Sequence, residues 1–201
     1  GHSIDFANAS MQRQGLDKNI QGLIRELNAG TVDVLLMMDG ANPAFDLPNA
    51  DKFIEGVAKV GLKVSFSGTP SETAMLCDYV APTNHFLESW GDVEPKRGHY
   101  SFIQPTIQPL FKTRQSEESL LKWSESEGLK SEADQPYFEY LKQHRETEMF
   151  PKQSDYATFP IFWTNTLQAG VFEVPEPPRT EFAFGGDVTA AAAKVRKPAS
   201  G

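Results

Sequence analysis

Two short loops carry the residue types suited to holding a polar ligand. The first, Asp39-Gly-Ala-Asn-Pro43, ends the apolar run Val34-Leu-Leu-Met-Met38 abruptly, as a buried parallel strand ends in a tight turn; ligands of such sheets bind at that end. Pro43 restricts Asn42 toward an extended backbone, which leaves two readings of its amide: free to pair with a base or ribose, or part of a plain turn. The chain is not a dinucleotide fingerprint here, because the second and third glycines that admit a pyrophosphate are missing. Residues 44–46 still run close enough to meet a ligand held at this loop. The second loop, Ser67-Gly-Thr-Pro-Ser-Glu-Thr73, offers hydroxyls, a glycine and a helix start, the ingredients of a polar-ligand or phosphate site. Helix capping accounts equally well for Ser71 and Glu72. Where a doubly wound sheet commonly places an acid for ribose hydroxyls, this chain has Ser67 or Gly68.

Other candidates are weaker. His85, Glu88, Asp92, Glu94 and His99 are close in sequence, but their spacing across a Gly- and Pro-containing loop matches no helical ligand pair, so the reading is a polar loop and no metal. Cys77 lies in an apolar helical stretch and reads as a small buried residue rather than a nucleophile. No Ser-His-Asp elbow, P-loop or His-Glu-x-x-His pattern occurs, so no catalytic residue is assigned.

The elements that must position these loops follow from periodicity. Leu16, Ile20, Leu23, Ile24 and Leu27 have helical spacing between an Asp17 start and a Gly30 stop. A strand over 32–38 follows, then a helix marked by Phe53, Ile54, Val57 and Ala58, a strand over 62–66, a short helix over 71–77 and a strand over 78–81. Strands alternating with helices predict an α/β fold, a parallel Rossmann-like sheet with flanking helices and right-handed crossovers. Residues 85–110 change character, reading as a loop followed by one extended strand at Tyr100-Ser-Phe-Ile-Gln-Pro105. The charged stretch 112–155 reads as surface helices, 159–171 as a last helix ending near Gly170, 174–178 as a Pro-rich linker, and the tail from Gly185 as disordered or truncated. The expected division is an α/β domain over 1–155 and an irregular C-terminal extension over 156–201.

Composition sets the limits. The 201 residues are 39% hydrophobic and carry a net charge of −8, enough for one ordinary core and poorly suited to neutralising nucleic-acid phosphates. A single cysteine rules out an intramolecular disulfide or a cysteine-ligated iron-sulfur cluster made by these residues alone. No apolar run reaches the roughly 20 residues of a membrane-spanning helix, so direct membrane insertion is not expected. The chain opens on Gly1-His2-Ser3 and closes on Lys197-Pro-Ala-Ser-Gly201, which we read as a piece of a larger protein.

Four motifs stand in one order: Gly40-Ala-Asn-Pro43, Ser71-Glu-Thr-Ala74, Cys77-Asp-Tyr-Val-Ala-Pro82 and Leu87-Glu-Ser-Trp-Gly-Asp-Val-Glu94. Over residues 32 to about 110 they resemble the large-subunit family of molybdopterin oxidoreductases, with its Gly-x-Asn-Pro strand end, Thr-x-Thr-Ala turn, Ala-Asp-Val-Val-Leu-Pro strand and Glu-x-x-Gly. Gly98-His-Tyr-Ser101, Gln104-Pro-Thr-Ile-Gln-Pro-Leu110, Arg114-Gln115 and Leu120-Leu-Lys-Trp123 are similar to one branch. That branch is the molybdopterin-oxidoreductase-like, iron-sulfur-bearing subunit of alternative complex III, a bacterial quinol-oxidising respiratory complex.

The resemblance implies an α/β module that, in the wider family, binds one guanosine half of a molybdopterin guanine dinucleotide. Gly40, Asn42 and Pro43 would then lie beside the nucleotide, with Ser67, Ser71 and Thr73 in the second loop. The family often has an acid where this chain has Ser67. In the alternative complex III branch the module is retained without the cofactor and iron-sulfur clusters lie in other parts of the subunit, so no cofactor is expected in this piece; the alternative is a working cofactor-binding domain. By the same resemblance, the partners are other domains and subunits of a respiratory complex associated with the periplasmic face of the membrane.

Overall fold

The computed structural model describes residues 8–175 and 185–195. Helix α1 (Asp17–Ala29) begins with an acid in its first turn and ends at Gly30, whose left-handed backbone (φ 70°) lets its N–H reach the Leu27 carbonyl while Thr31 N–H reaches that of Glu26. This paired closure satisfies carbonyls the helix would otherwise leave open. Strand β1 (Val34–Met37) follows, then α2 (Pro43–Asp46), α3 (Ala50–Val57), β2 (Leu62–Ser65) and β3 (Tyr79–Val80). The three strands lie in the order β1-β2-β3, all parallel, with Val34 beside Leu62 and Val64 beside Tyr79.

Between residues 71 and 77 the expected helix is reduced to a single 3-10 turn, Ala74–Leu76. The four-residue α2, with Pro43 in its first turn, sits where the sequence suggested plain loop; a proline at that place costs the helix no hydrogen bond.

One face of this sheet is covered by α1 and α3. Ile24, Leu27, Met37, Phe53, Val57 and Val60 form its core, each full burial contributing roughly 1.5–3 kcal/mol. The helices meet so closely that a Cβ on Gly56 would stand 2.7 Å from that of Leu27. The apolar run of β1, expected to be buried on both sides, is not. Leu35 and Met37 face the core, while Val34 and Leu36 are 51% and 37% exposed, because alternate strand residues point to opposite faces. On that second face Phe66 is buried and meets Trp123, with ring centroids 5.5 Å apart. The structure is therefore a mixed helix-and-strand fold with a three-stranded parallel sheet, the coarser part of the Rossmann-like sheet with flanking helices that was expected.

A second sheet stands where a loop and one strand were predicted. Strands β4 (Gly91–Lys96) and β5 (His99–Ile103) form an antiparallel hairpin, joined on the far side of β5 by β6 (Val171–Glu173). Pro95 disguised β4 as loop. It has no N–H to give a ladder, and the pairing with β5 shifts register between Val93 and Lys96. Its carbonyl accepts from Met11 N–H at 2.9 Å. Gly98 makes the turn with φ 76°, and its N–H is taken by the Glu94 carboxylate at 2.7 Å.

Helices α4 (Ser116–Trp123), α5 (Pro136–Glu148) and α6 (Phe159–Ala169) complete this part. α6 ends at Gly170 (φ 75°) and Val171 enters β6 instead of the helix. The second core gathers Leu141, Met149, Phe159, Phe162 and Trp163, with Trp90, Tyr100, Phe102 and Phe172 against it. It is mostly aromatic, with Phe162 edge-on to Phe172 at 5.1 Å. Arg145 of α5 pairs with Asp92 of β4, both largely buried, and lies over the Tyr100 ring. This core draws residues from both sides of position 155. Of the Pro-rich stretch, 176–178 lie outside the described residues. In the tail, α7 (Val188–Ala192) is capped by Asp187, which accepts from Ala190 N–H at 3.0 Å.

The contact between α1 and α3 gives a direct test. We expect Gly56→Ala to lower stability by about 1–3 kcal/mol, because added volume strains a packed contact. Gly22→Ala, in α1 with only an Arg25 side-chain tip within 4 Å of the new Cβ, should raise it by about 0.5–1 kcal/mol. Urea denaturation of both variants checks the pair.

Candidate functional site

The two strand-end loops are fastened to each other. Asn42 stands at φ −129° and ψ 57°, short of the extended ψ expected before Pro43, and its carbonyl begins α2 by accepting from Phe45 and Asp46 N–H at 2.9 Å each. Its side chain turns toward the second loop. Oδ1 accepts from Thr73 N–H at 3.1 Å and from the Thr73 hydroxyl at 2.8 Å, and Nδ2 donates to Glu72 Oε2 at 2.8 Å. Thr73 Oγ1 in turn accepts from Ala44 N–H at 2.9 Å. Thr73 is completely buried, so an unmet hydroxyl there would cost the full desolvation of the group. The amide that the sequence left open for a base or ribose is engaged with protein.

The remaining site residues serve the same local order. Asp39 Oδ1 accepts from Gly68 N–H at 3.3 Å, a second tie between the loops. Ser67 donates its hydroxyl to the Thr69 carbonyl and accepts from its N–H. Ser71 caps the 3-10 turn, accepting from Ala74 N–H at 3.1 Å. Gly40 has φ 79° with nothing within 4 Å of a Cβ position, so its backbone conformation is what requires glycine. Gly40, Asn42, Pro43, Ser67, Ser71 and Thr73 therefore do converge at the carboxyl ends of β1 and β2.

Glu72 was readable only as a helix cap. Its bond to Asn42 spans thirty residues of sequence and leaves no local signal. That bond holds the Glu72 carboxyl below the usual glutamate range.

Beside Asp39 lies a cavity of about 260 Å³ whose wall includes Thr83, Asn84, Ser116, Glu117 and Tyr137. Burial, and then the Glu117 and Asp92 carboxylates, push the Tyr137 phenol up to about 12. Thr83 Oγ1 accepts from Ser116 N–H at 3.1 Å.

The five-residue polar cluster divides. In a 3-10 turn the Glu88 carboxylate accepts from His85 N–H and the His85 ring accepts from Leu87 N–H, Asp92 pairs with Arg145, Glu94 holds Gly98, and His99 meets Glu173 at 2.7 Å. Among the described residues no three His, Cys, Asp or Glu side chains converge as a metal-ligand set. Burial first, then Asp78, pushes the Cys77 thiol up, and its Sγ lies 3.4 Å from the Thr73 carbonyl. A thiol held protonated is a poor nucleophile.

Fold and loops together make a mixed helix-and-strand module whose two fastened loops lie at the carboxyl ends of a parallel sheet, the end at which such sheets place their ligands. No family model matches the chain. Over 85 residues, 40% of its length, it is 39% identical to the menaquinone reductase, molybdopterin-binding-like subunit of Nitratidesulfovibrio vulgaris. The matched stretch spans 12% of that protein. The similarity supports a relation to molybdopterin oxidoreductases.

The loop fastening makes two predictions. Asn42→Ala should cost about 1–3 kcal/mol by orphaning the buried Thr73 hydroxyl, read by urea denaturation. The pH dependence follows from the depressed Glu72 carboxyl. Its contribution is present above the unfolded glutamate pKa of about 4.3 and disappears as pH falls through the lower folded value. Asp78 is depressed likewise, through Lys63, so the comparison that isolates Glu72 is the variant against the parent. The stability difference between pH 6 and pH 3 should be smaller in Asn42→Ala.

Proposed function

We propose that this chain is a domain of a bacterial respiratory oxidoreductase subunit of the quinol-oxidising alternative complex III type, serving as a scaffold with the shape of a molybdopterin guanine dinucleotide-binding module and without the cofactor. The observation that carries this reading is the Asn42 side chain. Both of its polar atoms are taken up by Glu72 and Thr73, and breaking those bonds to receive a nucleotide would cost more than leaving them in place.

The charge of the loops supports the same reading. Residues 38–46 and 66–73 contain Asp39, Asp46 and Glu72 and no Lys or Arg. A guanosine pyrophosphate placed there would face carboxylates without a compensating cation. The residues present do not fit that group, and α2 is too short for its N-terminus to stand in for a cation. The matched relative is itself named molybdopterin-binding-like and belongs to a menaquinone reductase, which agrees with partners that are other subunits of a respiratory complex. No helix among the described residues is long and apolar enough to cross a membrane.

Metal analysis and native mass spectrometry of the complete subunit test the proposal. We expect molybdenum well below one atom per chain and no mass for a bound guanine dinucleotide. Stoichiometric molybdenum would overturn the scaffold reading in favour of a working cofactor domain. In the assembled complex, Asn42→Ala should leave quinol oxidation nearly unchanged once its concentration is corrected for folding.

A further inference from the structure

Away from the crevice, the loops at residues 85–88 and 105–111 turn large apolar side chains outward. Phe86, Leu110 and Phe111 are 61%, 72% and 77% exposed, and Leu87 and Ile107 are exposed as well. Part of their backbone is already paired within the protein. The Leu87 carbonyl accepts from Thr106 and Ile107 N–H at 2.7 and 3.1 Å, and the Glu88 carboxylate accepts from Leu110 and His85 N–H at 3.1 Å each. Loops laced in this way can be covered by an apolar surface without stranding polar groups, since buried polar groups cost little only when bonded. Outward apolar residues held on such a frame mark an interaction surface.

Next to this patch, and sharing Glu88 and Ile107 with it, is a cavity of about 440 Å³. Trp90 and Phe138 meet at a tilt in its wall, with ring centroids 4.4 Å apart. Its charged lining is Glu88, Glu118 and Asp134 against Arg114 alone. The side chains of Glu118 and Asp134 make no hydrogen bond or ion pair with any described residue, whereas Arg114 donates to Ser119 Oγ at 2.8 Å. The cavity therefore has carboxylates to spare beside an aromatic wall, an environment that suits a cation.

We infer that residues 85–88 and 105–111 with the adjoining cavity form a docking surface for another polypeptide, one whose apolar side chains cover Phe111 and its neighbours while a Lys or Arg a few residues away enters between Glu118 and Asp134. A bilayer is the poorer fit. The chain carries a net charge of −8 and the Glu88, Glu118 and Asp134 carboxylates line the adjoining cavity, both repelled by anionic lipid. The surface does not include the residues that fasten the strand-end loops, although its cavity shares Asn84, Trp90, Gln115 and Tyr137 with the cavity beside Asp39, and the inference does not depend on whether those loops hold a cofactor.

The test places the photo-crosslinking residue p-benzoylphenylalanine at position 111 of the complete protein in the cells that make it, with position 143, on the exposed side of α5, as the control site. The expected product is an adduct to a segment of a different polypeptide carrying Lys or Arg near the crosslinked residue, identified by sequencing. Its yield should fall about tenfold or more in the double charge reversal Glu118→Lys, Asp134→Lys, with unchanged circular dichroism. An adduct to lipid, an adduct to another segment of the same protein or to a second copy of it, a yield no higher than at position 143, or a yield unaffected by the charge reversal would each overturn the inference.

Discussion

The strand-end loops of the parallel sheet are organised by one side chain. Asn42 receives the backbone and the hydroxyl of Thr73 on its carbonyl oxygen and gives its amide to Glu72. Thr73 passes the connection back by accepting from Ala44. The loop after β1 and the loop after β2 thereby become one unit. What lies on either side follows from it: α2 starts where Asn42 turns, and the 3-10 turn that leads into β3 starts where Thr73 is held. Glycine at position 40 and proline at position 43 set the backbone that brings the Asn42 amide around to face Thr73.

That arrangement changes what the crevice means. A loop with the residue types of a nucleotide site usually keeps polar atoms free for the ligand, because a buried donor or acceptor must be paired with something. Here the pairing is internal, and the residue most in need of it, Thr73, has no exposure to water at all. The two cores give the loops a firm base: α1 and α3 hold the sheet from one side, and the aromatic cluster around Phe162 holds the hairpin and β6. The likeness to a molybdopterin-binding-like subunit and the self-satisfied loops are two independent lines that meet in the proposed scaffold role.

The parts of the fold that were legible in the sequence are those decided by local rules. Gly30 and Gly170 end helices because each supplies the left-handed residue a closing turn needs. The alternation of helix and strand through residue 81 predicted the parallel pairing. What was not legible depended on distant partners. Pro95 hid a strand that tolerates it through a register shift, the β1 run read as buried on both sides although α1 and α3 cover only one, and the helices of 112–155 were read as surface while Leu141 is core. The six residues named from the resemblance sit on the loops after β1 and β2, but the bond from Asn42 to Glu72 has no trace in local spacing.

The most direct measurement of the central claim is a double-mutant cycle between Asn42→Ala and Thr73→Val, read by urea denaturation. Valine keeps the shape of threonine and removes the hydroxyl, so the cycle isolates the contact rather than the packing. If Asn42 and Thr73 fasten the loops together, the two losses will be coupled by about 1 kcal/mol or more, as for neighbours in one hydrogen-bond network. Losses that add to within about 0.3 kcal/mol would contradict the account, because the two side chains would then act independently and the loops would depend on something else for their closure.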